Sequence, residues 1–195
     1  MEKGHDWIAE AISAILSAPL VAIYTFILLI FFVHPSSPVL LLTISIFFGS
    51  ILPVVTILYM AKRGIIPDIY ASDRETRTKP FIGAIASYII GAVTLIFVQA
   101  PQILVFLMVC YFVNSFVMMI ITRIWKISIH VSGVAGPATF LVHQFGANML
   151  PFFMLLLPTA WARIKLGAHN LNQVTAGALL TIGLTLAQLE LYSIL

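Results

Sequence analysis

Two stretches of the chain carry no charged side chain and are too long to lie inside a water-soluble domain. No Asp, Glu, Lys or Arg occurs from residue 80 to residue 122, and none occurs from residue 131 to residue 162. Apolar runs of about 18 residues or more are typical of helices that cross a membrane. Charged residues make up only 9% of the chain, against about 25% in soluble proteins, so a surface that faces water on all sides is excluded.

Prolines, glycines and polar clusters divide these stretches into helices. Ala100-Pro101-Gln102 interrupts the first stretch, and a polar segment at 144–148 interrupts the second; proline and glycine are the usual breakers of a helix. The predicted helices cover residues 8–33, 39–61, 81–99, 102–122, 129–144, 149–163 and 170–193. We therefore predict an all-α integral membrane protein with about seven transmembrane helices, folded as a single domain over residues 1–195.

Small residues and prolines inside these helices predict how they pack. Pro151 and Pro158 are expected to kink one helix, because proline cannot donate a backbone hydrogen bond. Small side chains let two membrane helices approach closely. The residues expected to do so are Ser132, Gly133, Gly136, Gly177 and Gly183.

The basic residues are distributed unevenly along this topology. With seven helices, the N-terminus and the connections at 62–79, 123–128 and 163–168 share one side of the membrane. All ten Lys and Arg residues fall in these segments. Basic residues stay on the cytoplasmic side of a membrane, so we expect this face, in the cell membrane, to be cytoplasmic.

Cations, a hydroxyl and two imidazoles converge on the same face. Arginine binds phosphate with two parallel hydrogen bonds, and histidine can act as a nucleophile or as an acid and base near neutral pH. These residue types together indicate an anion site capable of phosphoryl chemistry. The residues concerned are Arg74, Arg77, Lys79, Lys126, Ser128, His130, Arg163 and His169.

Two classes of partner are not expected. Nucleic acid would require a basic stripe with interleaved aromatic residues, which the sequence does not contain. A metal site would require carboxylates at ligand spacing, and no such cluster occurs. We therefore predict no metal, no other cofactor and no nucleic-acid partner, and we expect membrane lipids to surround the chain.

Two short motifs in this set resemble those of the type-2 phosphatidic acid phosphatase superfamily. The family carries K-x6-R-P, P-S-G-H and S-R-x5-H-x3-D in this order. The sequence RIKLGAH matches the third motif at Arg163 and His169, and ISIH matches the second at Ser128 and His130. In the family two helices join these motifs, as predicted for this chain.

The first motif is matched at its end, where Lys79 and a proline stand in place of Arg-Pro. The resemblance covers roughly residues 70–185, preceded by two N-terminal transmembrane helices. It implies a metal-independent membrane lipid phosphatase that works through a phosphohistidine. The expected substrate is a lipid phosphate monoester, or a prenyl or other lipid diphosphate. His169 would attack phosphorus and His130 would protonate the leaving group. The phosphate oxygens would be held by Arg163, Lys126, Ser128, Arg74, Arg77 and Lys79.

The chain departs from the family pattern at several positions. The motif lysine would fall at Ser72, and Ile127 and Ile129 replace the Pro and Gly of the second motif. Gln173 stands where the family has the Asp that orients the nucleophilic histidine. An amide oxygen can accept a hydrogen bond from Nδ1–H and fix the tautomer, but it supplies no countercharge. Asp73 or Glu75 is an alternative source of that charge.

Other interpretations of the same residues stay open. Arg163 and Lys165 are also explained as anchors that reach toward lipid head groups at a helix end. A lipid phosphotransferase of the same fold would use the same histidines but pass the phosphoryl group to an alcohol. A non-catalytic lipid-phosphate binder or transporter would need only the cations, and Gln173 favours that alternative.

Overall fold

The structure, a computed structural model, describes residues 6–67, 76 and 78–194. Within these residues the secondary structure is helical and contains no strand. The α-helices in chain order are α1 (Trp7–Ile15), α2 (Ala18–Val33), α3 (Pro38–Ile46), α4 (Leu52–Lys62), α5 (Thr78–Phe97), α6 (Gln102–Ile124), α7 (Ile129–Phe145), α8 (Leu156–Lys165) and α9 (Leu171–Ile194). A π-helical turn, Phe47–Ile51, joins α3 to α4, and a 3-10 helix, Ala147–Leu155, leads into α8. The all-α prediction is confirmed.

Five helical segments in the described residues are long and apolar enough to cross a membrane. They are Pro38–Lys62, Thr78–Phe97, Gln102–Ile124, Ala147–Lys165 and Leu171–Ile194. A sixth is present if the bent pair α1 and α2 is one span. These segments are consistent with an integral membrane protein. The predicted number of seven spans stays a prediction.

The first predicted helix, 8–33, is broken in the structure. Its two parts, α1 and α2, meet at an angle of 45°. Pro19 explains the break, because its nitrogen cannot donate to the carbonyl of Ile15 and its ring clashes with that carbonyl. The prediction of one continuous helix here was wrong.

The predicted helix at 149–163 also differs from a regular α-helix. Its first half is the 3-10 helix, and Pro151 lies inside it. Pro158 lies in the first turn of α8, where the missing N–H of a proline is tolerated. The regular α-helix therefore begins only at Leu156, after the 3-10 segment Ala147–Leu155.

The chain packs as two compact units. Unit 1 is formed from Met1–Val21 and Ile127–Leu195, and unit 2 from Ala22–Lys126. In unit 2, Gly91 lies against the side chain of Phe48, and Ser87 donates a 2.7 Å hydrogen bond to the backbone oxygen of Phe48. This close approach fixes α5 against the π-helical turn.

In unit 1, α7 and α9 run parallel. The Ser128 nitrogen donates to the backbone oxygen of Gln173 at 3.3 Å, near the start of both helices. At their other ends, His143 Nε2 lies 3.6 Å from a carboxylate oxygen of Glu190. Since α8 lies between them in the chain, its C-terminal end returns to the start of α9. We call the end of unit 1 where α7 and α9 begin the site end.

Two of the predicted small residues do allow close packing in unit 1. A Cβ on Gly133 would lie 2.4 Å from the Cβ of Ala18, and one on Gly177 would lie 2.9 Å from the backbone oxygen of Ser128. Glycine at these positions lets α7 approach α2 and α9. The prediction was wrong for Gly183, where an added Cβ would meet nothing within 4 Å.

Candidate functional site

The predicted site residues fall into three groups. Arg74 and Arg77, with the alternative carboxylates Asp73 and Glu75, lie outside the described residues. Lys79 and Lys126 belong to unit 2. The remaining five lie in unit 1, at the ends of α7, α8 and α9. They are Ser128, His130, Arg163, His169 and Gln173.

His169 is held by the first turn of α9. Its ring atom Nδ1 lies 3.1 Å from Oε1 of Gln173, and the residue is only 7% exposed. The same Oε1 accepts a hydrogen bond from the backbone nitrogen of Asn170 at 3.2 Å, and Asn170 Oδ1 accepts from the backbone nitrogen of Gln173 at 3.0 Å. This reciprocal pair is a capping box, which satisfies free donors at the start of a helix.

The capping box determines the tautomer of His169. A backbone N–H can only donate, so the Gln173 atom that faces Asn170 has to be the amide oxygen. This oxygen also faces Nδ1 of His169 and can only accept a hydrogen bond, so Nδ1 has to carry a proton. In the neutral ring the lone pair is then on Nε2, the atom that does not face Gln173. The hydrogen bond suggested by the sequence is present, and it leaves Nε2 as the basic atom.

The turn between α8 and α9 sets the spacing of the R-x5-H motif. Gly167 has a positive φ of 66°, a conformation that favours glycine. Its nitrogen donates to the oxygen of Ile164, and the Ala168 nitrogen donates to the oxygen of Arg163 at 3.1 Å. This pair of bonds is a Schellman motif, a common helix ending. The backbone of His169 also donates to the oxygen of Arg163 at 3.2 Å, so the two motif residues are joined directly.

Arg163 is turned into unit 1 and not toward lipid head groups. It is 7% exposed, and its Nη1 atom donates a 2.8 Å hydrogen bond to Oγ of Ser13 in α1. This burial disfavours the interpretation of Arg163 as an interfacial anchor. Lys165 fits that interpretation better, since its side chain is 55% exposed and lies 3.8 Å from a carboxylate oxygen of Asp6.

Ser128 and His130 enter the site end from α7. Ser128 precedes the helix and is fully buried, and its hydroxyl has no hydrogen-bond partner among the residues that the structure describes. Its backbone is tied to Gln173, so it lies beside the capping box. His130 lies in the first turn of α7 and is partly exposed. A buried hydroxyl without a partner is uncommon and can donate to a ligand oxygen.

Sequence analysis missed two participants in this cluster. Asn170 was detectable, because Asn-x-x-Gln before an apolar helix is a capping-box pattern. Ser13 had no such signal. It lies in an apolar helix 150 residues away from Arg163 along the chain, and its partner is evident only in the folded protein.

The described residues contain no group of three or more His, Cys, Asp or Glu side chains that could hold a metal ion. The prediction that no metal takes part stays a prediction. No protein-family model, no curated protein and no solved structure matches this chain. The resemblance to a phosphatase superfamily therefore depends on the motif residues alone.

Proposed function

We propose that this chain is a divergent member of the type-2 phosphatidic acid phosphatase superfamily. It hydrolyses a lipid phosphate monoester, or a prenyl or other lipid diphosphate, without a metal. In this proposal α7 and the bent pair α1–α2 also cross the bilayer, giving seven crossings. The site end faces the cytoplasm, as the distribution of basic residues predicts.

One observation carries the proposal. His169 is buried, its Nδ1 is hydrogen-bonded to Gln173 at 3.1 Å, and its backbone is bonded to Arg163. A nucleophilic histidine needs one nitrogen held and the other carrying a lone pair. Arg163, whose side chain is also buried, supplies the positive charge that a phosphoryl group requires.

The reaction proceeds in two displacements. Nε2 of His169 attacks phosphorus, a P–N bond forms, and the bond from phosphorus to the lipid oxygen breaks. His130 donates a proton to that oxygen. Water then attacks the phosphohistidine, His130 accepts a proton from the water, and the P–N bond breaks to release inorganic phosphate. Arg163 and Ser128, with Lys126, Lys79, Arg74 and Arg77 by resemblance, hold the phosphate oxygens.

The location of the site favours a lipid substrate. Arg163, His169 and Ser128 lie at helix ends, in a chain whose candidate membrane spans are mostly not buried inside the protein. A phosphate attached to an acyl or prenyl chain would reach these residues from the membrane. The candidates are a phosphatidate-like lipid, a lipid with a glycerophosphate head group, and a prenyl phosphate or diphosphate.

Gln173 favours a second candidate, a non-catalytic lipid-phosphate binder. A neutral amide fixes the ring but does not stabilise its charged form, as a carboxylate would. The amide oxygen also accepts the backbone hydrogen bond of Asn170 that caps α9, which is a structural reason for the presence of Gln173. A binder would hold phosphate at Arg163 and release none.

Release of inorganic phosphate from a panel of these lipids, by the purified protein in detergent with EDTA, tests the proposal. We expect turnover that resists EDTA and is lost in His169→Ala. The matched control is His143→Ala, since this histidine lies at the opposite end of α7, beside Glu190. Turnover that EDTA abolishes, or that survives His169→Ala, would contradict the mechanism. Binding of a lipid phosphate without turnover would identify the binder.

A further inference from the structure

The best-defined polar contact of α1 is made with Arg163, the residue predicted to bind the phosphate. Ser13 Oγ accepts a 2.8 Å hydrogen bond from Nη1 of Arg163, and the two residues are 5% and 7% exposed. Buried polar contacts of this kind are strong when one partner is charged. This bond joins the N-terminal helix to the centre of the candidate site.

The whole face of α1 that carries Ser13 packs on α8. Asp6, Ala9 and Ser13 lie on one side of the helix, at spacings of three and four residues, which is the helical period. Ala9 is fully buried, and Asp6 pairs with Lys165 at 3.8 Å. Helix α1 therefore contacts α8 at Asp6 as well as at Ser13, so the bond to Arg163 is not its only polar contact with α8.

The neutrality of the Ser13 hydroxyl matters as much as its position. A hydroxyl is neutral, so the bond to Ser13 fixes the guanidinium without cancelling its charge. A guanidinium has five N–H donors, and Ser13 accepts from one of them. A carboxylate at the same place would also hold Arg163, but it would repel an incoming phosphate.

We propose that Ser13 is a positioning residue that aims the Arg163 guanidinium at the phosphate group of the substrate. This inference rests on the phosphate-binding role of Arg163 given under the proposed function. It adds α1, which lies outside the region of family resemblance, to the working site. Ser13 acts through Arg163 and does not itself touch the reacting atoms.

Phosphate binding tests this inference separately from catalysis. The full-length protein in detergent is unfolded thermally with and without inorganic phosphate, and the rise in Tm with phosphate concentration gives the affinity. Steady-state hydrolysis of the best lipid from the panel is measured in parallel. We expect Ser13→Ala to weaken phosphate binding and raise KM about tenfold, with Ser13→Thr restoring both because it keeps the hydroxyl.

Two further variants separate positioning from simple helix docking. Asp6→Asn removes the ion pair with Lys165 but keeps a side chain suited to capping α1, so it should leave phosphate affinity unchanged. Ser13→Asp keeps a partner for Arg163, and we expect the protein to stay folded while phosphate affinity falls at least as far as in Ser13→Ala.

Three results with these variants would overturn the inference. They are wild-type affinity in Ser13→Ala, an equal loss in Asp6→Asn, or wild-type affinity in Ser13→Asp. A wild-type protein that binds no phosphate would also overturn it, because Arg163 would then have no anion to hold. Phosphate binding that depends on Ser13, without any hydrolysis, would remove the phosphatase proposal and leave this inference standing.

Discussion

Ser132 donates a hydrogen bond of 3.0 Å from its hydroxyl to the backbone oxygen of Gly177. One helical turn nearer the site end, the backbone nitrogen of Ser128 donates to the oxygen of Gln173 at 3.3 Å. The two bonds fix α7 and α9 in parallel register, and they fix Ser128 beside the residue that holds His169. The geometry of the site end therefore depends on how closely these two helices approach.

Gly177→Ala should weaken both the fold and the site. Its Cβ would lie 2.9 Å from the backbone oxygen of Ser128 and 3.1 Å from Ser132 Oγ, and a backbone atom cannot move aside cheaply. We expect a loss of about 1–3 kcal/mol in the free energy of unfolding, together with reduced turnover. Thermal unfolding and phosphate release measure the two effects.

The matched control is Gly183→Ala in the same helix. An added Cβ there would meet nothing within 4 Å, so the change should be neutral or stabilise the helix by up to about 1 kcal/mol. If the two substitutions changed Tm equally, close contact with α7 would not be the reason that residue 177 is glycine.

Gln173→Glu should raise the rate at which the protein releases phosphate. Glutamate keeps the length of glutamine, so its carboxylate can still accept from Nδ1 of His169 and from the Asn170 backbone. It adds the countercharge that the amide lacks, and a charge-assisted bond is about 1 kcal/mol stronger than a neutral one. We expect phosphate release to rise by roughly fivefold.

Gln173→Leu is the control for this prediction, because it removes the acceptor altogether. Turnover should fall, and the free energy of unfolding should fall by about 1 kcal/mol through loss of the cap. If the Glu variant is folded but slower than the natural protein, His169 does not act as a nucleophile that needs a countercharge.

The helices were largely predictable from sequence because their ends are marked by specific residues. Pro101 precedes α6, and Gly146 with a positive φ of 79° follows α7. Pro19 was a marker of the same kind, but the apolar run on both sides of it made 8–33 look continuous. The 3-10 helix at Ala147–Leu155 was not predictable. Hydropathy does not indicate whether a backbone N–H donates to the carbonyl three or four residues earlier.

The contacts within the site were predictable only where the residues are close in sequence. Arg163, His169 and Gln173 are joined by one helix ending and one helix start, and their types and spacing determine both. Ser13 reaches Arg163 only because α1 docks on α8, and no local pattern records that contact. Lys79 and Lys126 belong to unit 2, so their roles in phosphate binding stay predictions.

Arg163→Lys should impair the site although it keeps the charge. Lysine presents a point charge and cannot donate two parallel hydrogen bonds to a phosphate. Loss of one bond to a charged group corresponds to about 1.5–3 kcal/mol, so kcat/KM should fall by roughly 10- to 100-fold. The measurement is steady-state phosphate release over a range of lipid concentrations.

Lys165→Gln is the matched control two residues away. The Lys165 side chain is 55% exposed and pairs with Asp6 at 3.8 Å, and exposed ion pairs contribute little, about 0–1 kcal/mol. We expect nearly unchanged kcat/KM. A loss as large as that in Arg163→Lys would indicate that general positive charge at this helix end, and not the Arg163 fork, supports binding.

The membrane orientation can be tested on a single segment. Ala147–Lys165 combines a 3-10 helix with α8 and spans roughly 33 Å, close to the thickness of the hydrocarbon layer. Its two ends carry exposed residues, Asn148 and Lys165. The chain has one cysteine, Cys110, which is buried, so a Cys110→Ala background allows a single new thiol at either end.

A membrane-impermeant maleimide should label Asn148→Cys in intact cells, and Lys165→Cys only in inverted vesicles. This follows from the basic residues at 163–168, which are retained on the cytoplasmic side. The reverse pattern would put the site end outside the cell, and a lipid carrier on the outer leaflet would become the favoured substrate. Labelling of both thiols from one side would mean that Ala147–Lys165 does not cross the bilayer, and the proposed seven-crossing topology would fail with it.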